Sequence, residues 1–287
     1  MNPKEKLRQK ALLFHELHYG EQSFILPNIW DPIGALMLED LGYPAVATSS
    51  SAIAISHGIS DGEKISFQEH LNQLNKIANC TKVPVSADIE SGYSSNDAQL
   101  EKNIRQLISI GVVGINIEDS NKDTHELVPI ELQCHRIELI TQLAKDEGIP
   151  LFINARIDSY VSNNNFSSDE KLNESIKRGK SYMDAGANCI FPILMHEESH
   201  ICAFVKEISI PVNIMVYPGI PSLNRLNDIG VKRISLGGAF LRTSLSAMHK
   251  MAHQLKHLEG LEELTQHTLS SNYLQSLVEK NAANKGK

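Results

Sequence analysis

The sequence predicts an α/β fold, a (β/α)8 TIM barrel with an N-terminal helix and extra C-terminal helices. Eight short apolar segments rich in Val and Ile alternate with segments of helical periodicity, as buried parallel strands alternate with helices. Five of the predicted helices end at or just before a glycine, which favours a left-handed C-cap. The alternative is an open doubly wound sheet, but the sequence contains neither GxGxxG nor GxxxxGK, the phosphate-binding motifs typical of such sheets.

The elements follow from apolar periodicity, beginning with a helix over residues 4–18. Asp31 can cap the second helix, with Pro32 at its first position, and that helix ends near Gly42. We predict strands over 24–30, 44–50, 83–90, 113–118, 150–157, 188–194, 211–216 and 232–237. Helices are predicted over 67–79, 97–109, 131–146, 169–185, 198–207, 221–228 and 239–257, with a further amphipathic helix over 261–281.

We interpret residues 1–287 as a single domain, with a barrel core over about 22–257 and a helical extension over about 258–287. The helix predicted in this extension is additional to the eight strand–helix units that form the barrel. We expect its apolar face to dock on the outside of the barrel or on a second subunit.

Composition and charge argue against several classes of protein. With 41% hydrophobic and 21% charged residues, the chain can bury a large core. Its net charge of -7 argues against broad binding to nucleic acid or anionic membranes, and no apolar run reaches the roughly 20 residues of a spanning helix. The N-terminus is charged, unlike a secretory signal, and the cysteines show no CxxC spacing. We therefore expect a cytoplasmic protein without structural zinc.

Polar side chains gather where the predicted strands end. In a (β/α)8 barrel the chemistry lies at the carboxyl ends of the strands, so these positions are candidates for a site. Asp88 and Glu90 end the third strand, where two residues of spacing would put them on one face. The other candidates are Glu118 and Asp119 on the fourth strand, Arg156 on the fifth, and Thr48, Ser49 and Ser50 after the second.

The acidic strand ends predict a divalent cation. Asp88, Glu90 and Glu118 offer carboxylate oxygens without a His or Cys partner, which favours Mg2+ or Mn2+. Magnesium usually takes one or two carboxylates directly, so a third can act through water. The alternative is a buried ionic network in which the acids pair with Arg156 and lysines. Three acids against one strand-end arginine would leave excess negative charge, which a metal neutralises.

Other groups surround the same mouth. Arg156 offers a permanently charged fork for a carboxylate or an enolate oxygen, or else pairs with a neighbouring acid. The Thr48-Ser49-Ser50 turn can present backbone N–H groups to an anion or be an ordinary tight turn. His57 and Asp61 lie on a loop long enough to reach over the mouth, and we interpret His57 as a surface histidine.

Six motifs, taken together and in order, resemble the isocitrate lyase/phosphoenolpyruvate mutase superfamily. They are spread across residues 20–245 and comprise LPNIWDP (26–32), TSS with SHGISDG (48–50 and 56–62), SADIESGY (86–93), GINIEDS (114–120), INARID (153–158) and PVNIMVYPG…GVKRISLGG (211–238).

This resemblance implies a Mg2+-dependent barrel enzyme acting on a small 2-oxo acid or its enolate. It implies that Asp88 binds the metal directly and that Glu90 and Glu118 act largely through water. The substrate-carboxylate turn of the superfamily matches Ser49 and Ser50, its loop aspartate matches Asp61, and its fifth-strand arginine matches Arg156. It also implies a homo-oligomer, a dimer or tetramer whose subunits exchange a late helix.

The loop after the fourth strand departs from the superfamily. Residues 121–127 lack the KKCGH-type cysteine that is the acid of isocitrate and methylisocitrate lyases. Lys122 is present, but the asparagine that follows it in phosphonate-active members is not. What remains resembles the branch of oxaloacetate decarboxylases and 2-oxo-acid lyases.

The leading hypothesis is therefore a lyase that cleaves a C–C bond through a metal-stabilised enolate. Decarboxylation needs no general base, whereas retro-aldol cleavage would need one, and His125 is the candidate. The alternatives are P–C bond chemistry, as in phosphonopyruvate hydrolase or the mutase, and a metal-dependent 2-oxo-acid binding protein without turnover. The predicted catalytic residues are Arg156, Asp61, Glu118 and His125, and the predicted substrate ligands are Thr48, Ser49, Ser50, Asp61, Asp88 and Arg156.

Overall fold

The strands of the protein are short, and most of their residues are buried. The structure is a computed structural model that describes residues 2–162, 164–266 and 269–285. Its strands are β1 (Phe24–Leu26), β2 (Asn28–Ile29), β3 (Val46–Thr48), β4 (Val85–Asp88), β5 (Gly114–Glu118), β6 (Phe152–Ile157), β7 (Cys189–Pro192), β8 (Asn213–Met215) and β9 (Arg233–Ser235).

The strands pair in parallel and close into a ring. One sheet runs from β2 to β7 in chain order, and β1, β9 and β8 form a second sheet. The sheets join where only Pro27 separates β1 from β2, and where a bridge between Ile190 and Val212 connects β7 to the chain entering β8. Since β1 and β2 together make up the first predicted strand, the predicted (β/α)8 barrel is confirmed.

Helices separate most of the strands and follow the last one. Asp31 Oδ1 accepts a hydrogen bond from the backbone N–H of Gly34 at 2.8 Å, so the predicted cap is present. The helices are α1 (Pro3–Leu17), α2 (Pro32–Asp40), α3 (Ser50–Ser56), α4 (Phe67–Ala78), α5 (Asp97–Ser109), α6 (Ile130–Asp146), α7 (Ser168–Asp184), α8 (Glu198–Glu207), α9 (Leu223–Ile229), α10 (Ala239–Lys256), α11 (Leu261–Thr265) and α12 (Ser271–Lys285).

Two parts of the helical prediction were wrong. The loop predicted after the second strand begins with α3, because Ser49 caps a helix by accepting from Ala52 N at 3.3 Å. The single tail helix predicted over 261–281 is two helices, α11 and α12; residues 267–268 of that prediction lie outside the described residues.

Helix α1 closes the amino end of the barrel. The ring of Phe14 lies edge-on to Phe152 at the start of β6, with ring centroids 5.3 Å apart. At the start of β5 a Cβ on Gly114 would lie 2.6 Å from Phe14 Cε1, so the helix approaches the strands too closely for any larger residue there. The floor is therefore filled, and a site must lie at the carboxyl ends of the strands.

The middle of the barrel contains a polar layer. Arg233 on β9 is fully buried, and burial lowers its pKa to about 10. Its Nη2 donates to Asn116 Oδ1 at 3.1 Å on the far side of the ring, and Asn154 Nδ2 donates to the same oxygen at 2.8 Å. The guanidinium thus connects β9 with β5 beneath the carboxyl ends.

The helices that follow the barrel differ in how much of their surface is buried against the rest of the chain. In α10 only Leu241 is buried, and Leu245, Met248 and Leu255 are exposed. Helix α12 lies against α2, where Tyr273 Oη and Lys280 Nζ donate to the two oxygens of Asp40 at 3.1 and 2.9 Å. No helix in the described part of the chain is long and apolar enough to cross a membrane.

Candidate active site

A cavity of about 230 Å³ opens at the carboxyl ends of the strands. Its wall brings together residues from five separate segments of the chain. Among the residues that line it are Ser50, Asp61, Glu90, Glu118, His125 and Arg156. All six were predicted from the sequence as site residues. Their roles stay predictions.

Asp88 lies at the end of β4, beside the first turn of α3. Its Oδ2 accepts from the backbone N–H of Ser50 at 3.1 Å and from Ser50 Oγ at 2.8 Å. Thr48 Oγ1 accepts from the backbone N–H of Asp88 at 3.1 Å, while the Ser49 hydroxyl caps α3. The segment predicted as an anion-binding turn therefore orients Asp88 here, and of its three residues Ser50 lines the cavity.

Glu90 reaches the cavity by a different route from the one predicted. β4 ends at Asp88, and Glu90 has φ of 51°, in the left-handed region. The argument that Asp88 and Glu90 share one face of a strand was therefore wrong, although the Glu90 carboxylate still lines the cavity. Its Oε1 accepts from Tyr93 Oη at 2.9 Å and its Oε2 from Glu63 N at 2.6 Å. Burial, followed by the charge of Asp61, raises the pKa of Glu90 to about 7.

Arg156 on β6 is held by two acids. Its Nη1 lies 2.6 Å from Glu118 Oε2, and its Nε and Nη2 bind Asp158 at 2.6 and 3.0 Å. Burial lowers the pKa of Arg156, but the charges of Asp158 and Glu118 outweigh this and raise it. Burial raises the pKa of Glu118, and Arg156 opposes that rise. The ion pairs proposed as an alternative role for Arg156 are thus present, and they leave its side chain 18% exposed at the cavity.

Two loops complete the wall. Asp61 follows α3, and burial, together with the charge of Asp88, raises the pKa of its carboxyl. His125 lies on a hairpin after β5, in which Asn121 N donates to Glu126 O at 2.8 Å, and it has φ of 56°. His57 ends α3, where its Nδ1 lies 2.9 Å from Ile53 O, and it does not line this cavity.

Asp119 points away from the cavity into the wall behind it. Its oxygens accept from the backbone N–H of Asp158 at 2.9 Å, from Arg178 at 3.0 Å and from Tyr182 Oη at 2.6 Å. Asp119 therefore anchors the end of β5 to α7. Asp119 was a candidate because it ends the fourth predicted strand, but it does not line the cavity, because neighbouring residues on a strand point to opposite sides.

Sequence reasoning missed Glu63. Its side chain is 1% exposed, and its carboxylate accepts from Ser91 N, Ser91 Oγ and Tyr93 N at 3.1, 2.6 and 2.9 Å. In the sequence it is an acid beside Lys64 in a loop, a pattern typical of solvated surface. Gly62, which precedes it, was the available signal of an unusual turn.

The side chains at this mouth fit a hard cation. The charge of Asp88 disfavours the ionised forms of Asp61 and Glu90, Asp61 adds to this effect on Glu90, and Arg156 is already paired. Added positive charge would relieve this repulsion, and carboxylate oxygens are ligands that Mg2+ prefers. Within the described residues no three His, Cys, Asp or Glu side chains converge closely enough to hold a metal together.

Comparison with known proteins identifies the family. The family model described as phosphoenolpyruvate phosphomutase matches residues 14–256. The chain belongs to this family. It is accordingly an enzyme of the isocitrate lyase/phosphoenolpyruvate mutase type.

Two sequence relatives and one solved structure match most of this chain and most of their own length. An uncharacterized protein of Mycobacterium tuberculosis is 30% identical over 251 residues, which covers 88% of this chain and 90% of that one. Oxaloacetate decarboxylase 2 of Pseudomonas fluorescens is 22% identical over 91% of each chain. A solved phosphonopyruvate hydrolase, in complex with oxalate and Mg2+, has a TM-score of 0.82 at 22% identity, covering 96% of this chain and 97% of that one.

Proposed function

We propose that the protein is a Mg2+-dependent lyase that cleaves a C–C bond of a small 2-oxo acid, such as oxaloacetate, through an enolate. The observation that carries this proposal is the cavity in which clustered carboxylates face a single arginine. Its volume of about 230 Å³ suits a small acid, since pockets for drug-sized ligands usually measure about 300 Å³ or more. The relative named as an oxaloacetate decarboxylase supports the same substrate class.

Asp88 would hold the cation directly, and Glu90 and Glu118 would hold it largely through water. When bound, Mg2+ supplies a Lewis acid that withdraws electron density from the keto oxygen of the substrate. Arg156 places a fixed positive charge where negative charge develops on the substrate as the bond breaks. Glu118 and Asp158 hold its guanidinium, so no reorganisation is needed at that moment.

The groups available for proton transfer favour decarboxylation. None of the four cysteines lines the cavity, and the loop that follows β5 has no thiol. Loss of CO2 leaves an enolate without prior removal of a proton, and the enolate then takes up a proton from water at C3 to give pyruvate. His125 lines the cavity, and we propose it as the group that would carry the proton that retro-aldol cleavage requires.

Chemistry on a P–C bond is less well supported. Lys122 is the loop cation that could hold a phosphoryl group, but its Nζ lies 3.1 Å from Glu63 Oε2, and it does not line the cavity. A binding protein without turnover would have little need for both the carboxylate cluster and Arg156.

We also propose that the chain is one domain and forms a homo-oligomer. Met248 on α10 is 62% exposed, and Leu245 and Leu255 on the same helix are 40% and 39% exposed. An apolar helix face of this kind favours burial against a second copy, as exchange of α10 between subunits would provide. The cytoplasmic location remains a prediction.

A substrate panel tests the proposed function. The full chain is incubated with 2-oxo acids and phosphono acids, with and without Mg2+, while pyruvate and phosphate release are measured. We expect Mg2+-dependent pyruvate release from a 2-oxo acid and no phosphate from phosphonopyruvate. The Asp88→Ala variant should lose turnover and keep a wild-type circular dichroism spectrum. Full Mg2+-dependent activity in this variant would show that the site is assigned wrongly, and phosphate release would favour P–C chemistry.

A further inference from the structure

Glu63 joins three loops at the mouth of the cavity. It lies in the loop after α3, in the left-handed region with φ of 55°, and its side chain is buried. Its Oε1 accepts from the backbone N–H groups of Ser91 and Tyr93 and from the Ser91 hydroxyl. One carboxylate oxygen thereby closes the turn that follows β4, because it satisfies backbone donors that the turn itself leaves unpaired.

The backbone of Glu63 holds Glu90 in return. Glu63 N donates to Glu90 Oε2 at 2.6 Å, and Tyr93 Oη donates to Glu90 Oε1 at 2.9 Å. Glu63, Glu90 and Tyr93 have φ of 55°, 51° and 52°. Residues other than glycine adopt this left-handed backbone conformation at an energetic cost. Such conformations persist where the surrounding contacts fix them, and here the three residues fix one another.

The second carboxylate oxygen of Glu63 faces the hairpin 120–127, the segment that carries His125 into the cavity. Lys122 Nζ lies 3.1 Å from Glu63 Oε2. The two side chains form an ion pair in which Glu63 is buried. A neighbouring pair joins the same two loops, with Lys64 Nζ 3.8 Å from Asp123 Oδ1 and both side chains at least half exposed. An exposed pair of this kind contributes little, so Glu63–Lys122 is the stronger tie.

We propose that Glu63 is a positioning residue with two separable roles. Through its backbone N–H and the turn it closes, it fixes the Glu90 carboxylate in the orientation that the cation site needs. Through Lys122, it holds the hairpin 120–127 closed over the cavity. The first role rests on the proposed function, since it assumes that Glu90 serves a cation, and the second role does not.

Hydrogen–deuterium exchange of the hairpin tests the second role in the full chain. Glu63→Gln keeps an oxygen for the turn and removes the charge that binds Lys122, while Lys122→Gln removes the cation. Both variants should exchange about tenfold faster over residues 120–127 than the wild type. Asp123→Asn is the matched control, because it removes the exposed pair between the same loops, and its exchange should match the wild type. Wild-type exchange in Glu63→Gln would overturn this role.

Calorimetric titration with MgCl2 tests the first role. Glu63→Ala removes the acceptor that closes the turn and should weaken Mg2+ binding about tenfold, whereas Glu63→Gln should bind as the wild type does. Thermal melting shows that each variant is folded, and equal Mg2+ affinity in Glu63→Ala and the wild type would overturn the role. If the wild type itself bound no Mg2+, the proposed function and this role would both fail, while the exchange experiment would still decide the hairpin.

Discussion

Substitution of Glu90 by Gln should change how the stability of the protein depends on pH. Burial and the charge of Asp61 raise the pKa of this carboxyl from 4.5 to about 7 in the folded, metal-free protein. Between these values the folded chain holds a proton that the unfolded chain has released, so the free energy of unfolding falls as pH rises. The penalty is absent below pH 4.5 and complete above about pH 7.

The size of the effect follows from the pKa. A rise from 4.5 to about 7, at roughly 1.4 kcal/mol per pH unit, corresponds to about 3 kcal/mol. Because the carboxylate faces an open cavity, water screens part of the penalty, and we expect about 2 kcal/mol. Glutamine carries no charge at any pH, so Glu90→Gln lacks this penalty. Between about pH 4.5 and pH 8, the free energy of unfolding of the wild type should therefore fall by about 2 kcal/mol relative to that of Glu90→Gln.

The assay is urea unfolding in the presence of EDTA, followed by circular dichroism across this pH range. Saturating Mg2+ should restore the stability of the wild type near neutral pH more than that of Glu90→Gln, since a cation favours the ionised carboxylate. A stability difference that stays constant with pH would refute the reasoning. It would show that Glu90 is ionised at its ordinary pKa without any cation beside it.

Three further substitutions test other parts of the structure. Arg156→Lys removes the fork that binds Glu118 and Asp158, and turnover on a 2-oxo acid should fall about a hundredfold; unchanged turnover would contradict the role of the guanidinium. Gly114→Ala should cost about 1–3 kcal/mol in urea unfolding, because its Cβ would meet Phe14, and a wild-type midpoint would show that α1 yields. Met248→Glu should reduce the mass measured by light scattering towards that of one chain if α10 is an interface, and an unchanged mass would exclude Met248 from it.

The barrel could be predicted because its strands are simple. Parallel strands buried on both faces read as short Val- and Ile-rich runs, and helices such as α5 and α8 have the bounds that periodicity predicts. Helix α3 was missed because Ser-Ser-Ala-Ile-Ala-Ile-Ser alternates with a period of two, as a strand does. The Ser49 cap and the burial of Ile53 and Ala54 determine its conformation, and neither is visible in local propensity.

The residues of the candidate site were likewise predictable only in part. Glu118 and Arg156 could be found because a strand end is both a sequence feature and a place in the barrel. Glu90 was named for a reason that proved wrong, since it lies beyond the strand in a left-handed turn. Glu63 could not be found, because its importance comes from partners 28 and 59 residues away in the chain. Contacts of that kind depend on tertiary structure.

The link across the barrel interior has a consequence for how the chain folds. Arg233 and Asn116 are separated by 117 residues, and Phe24 on the first strand pairs in register with Arg233 on the last. Folding slows as contacting residues lie further apart along the chain. During synthesis the ring therefore cannot close until residue 233 has left the ribosome. Nascent chains that end before β9 would expose two unpaired strand edges, which makes them candidates for chaperone binding.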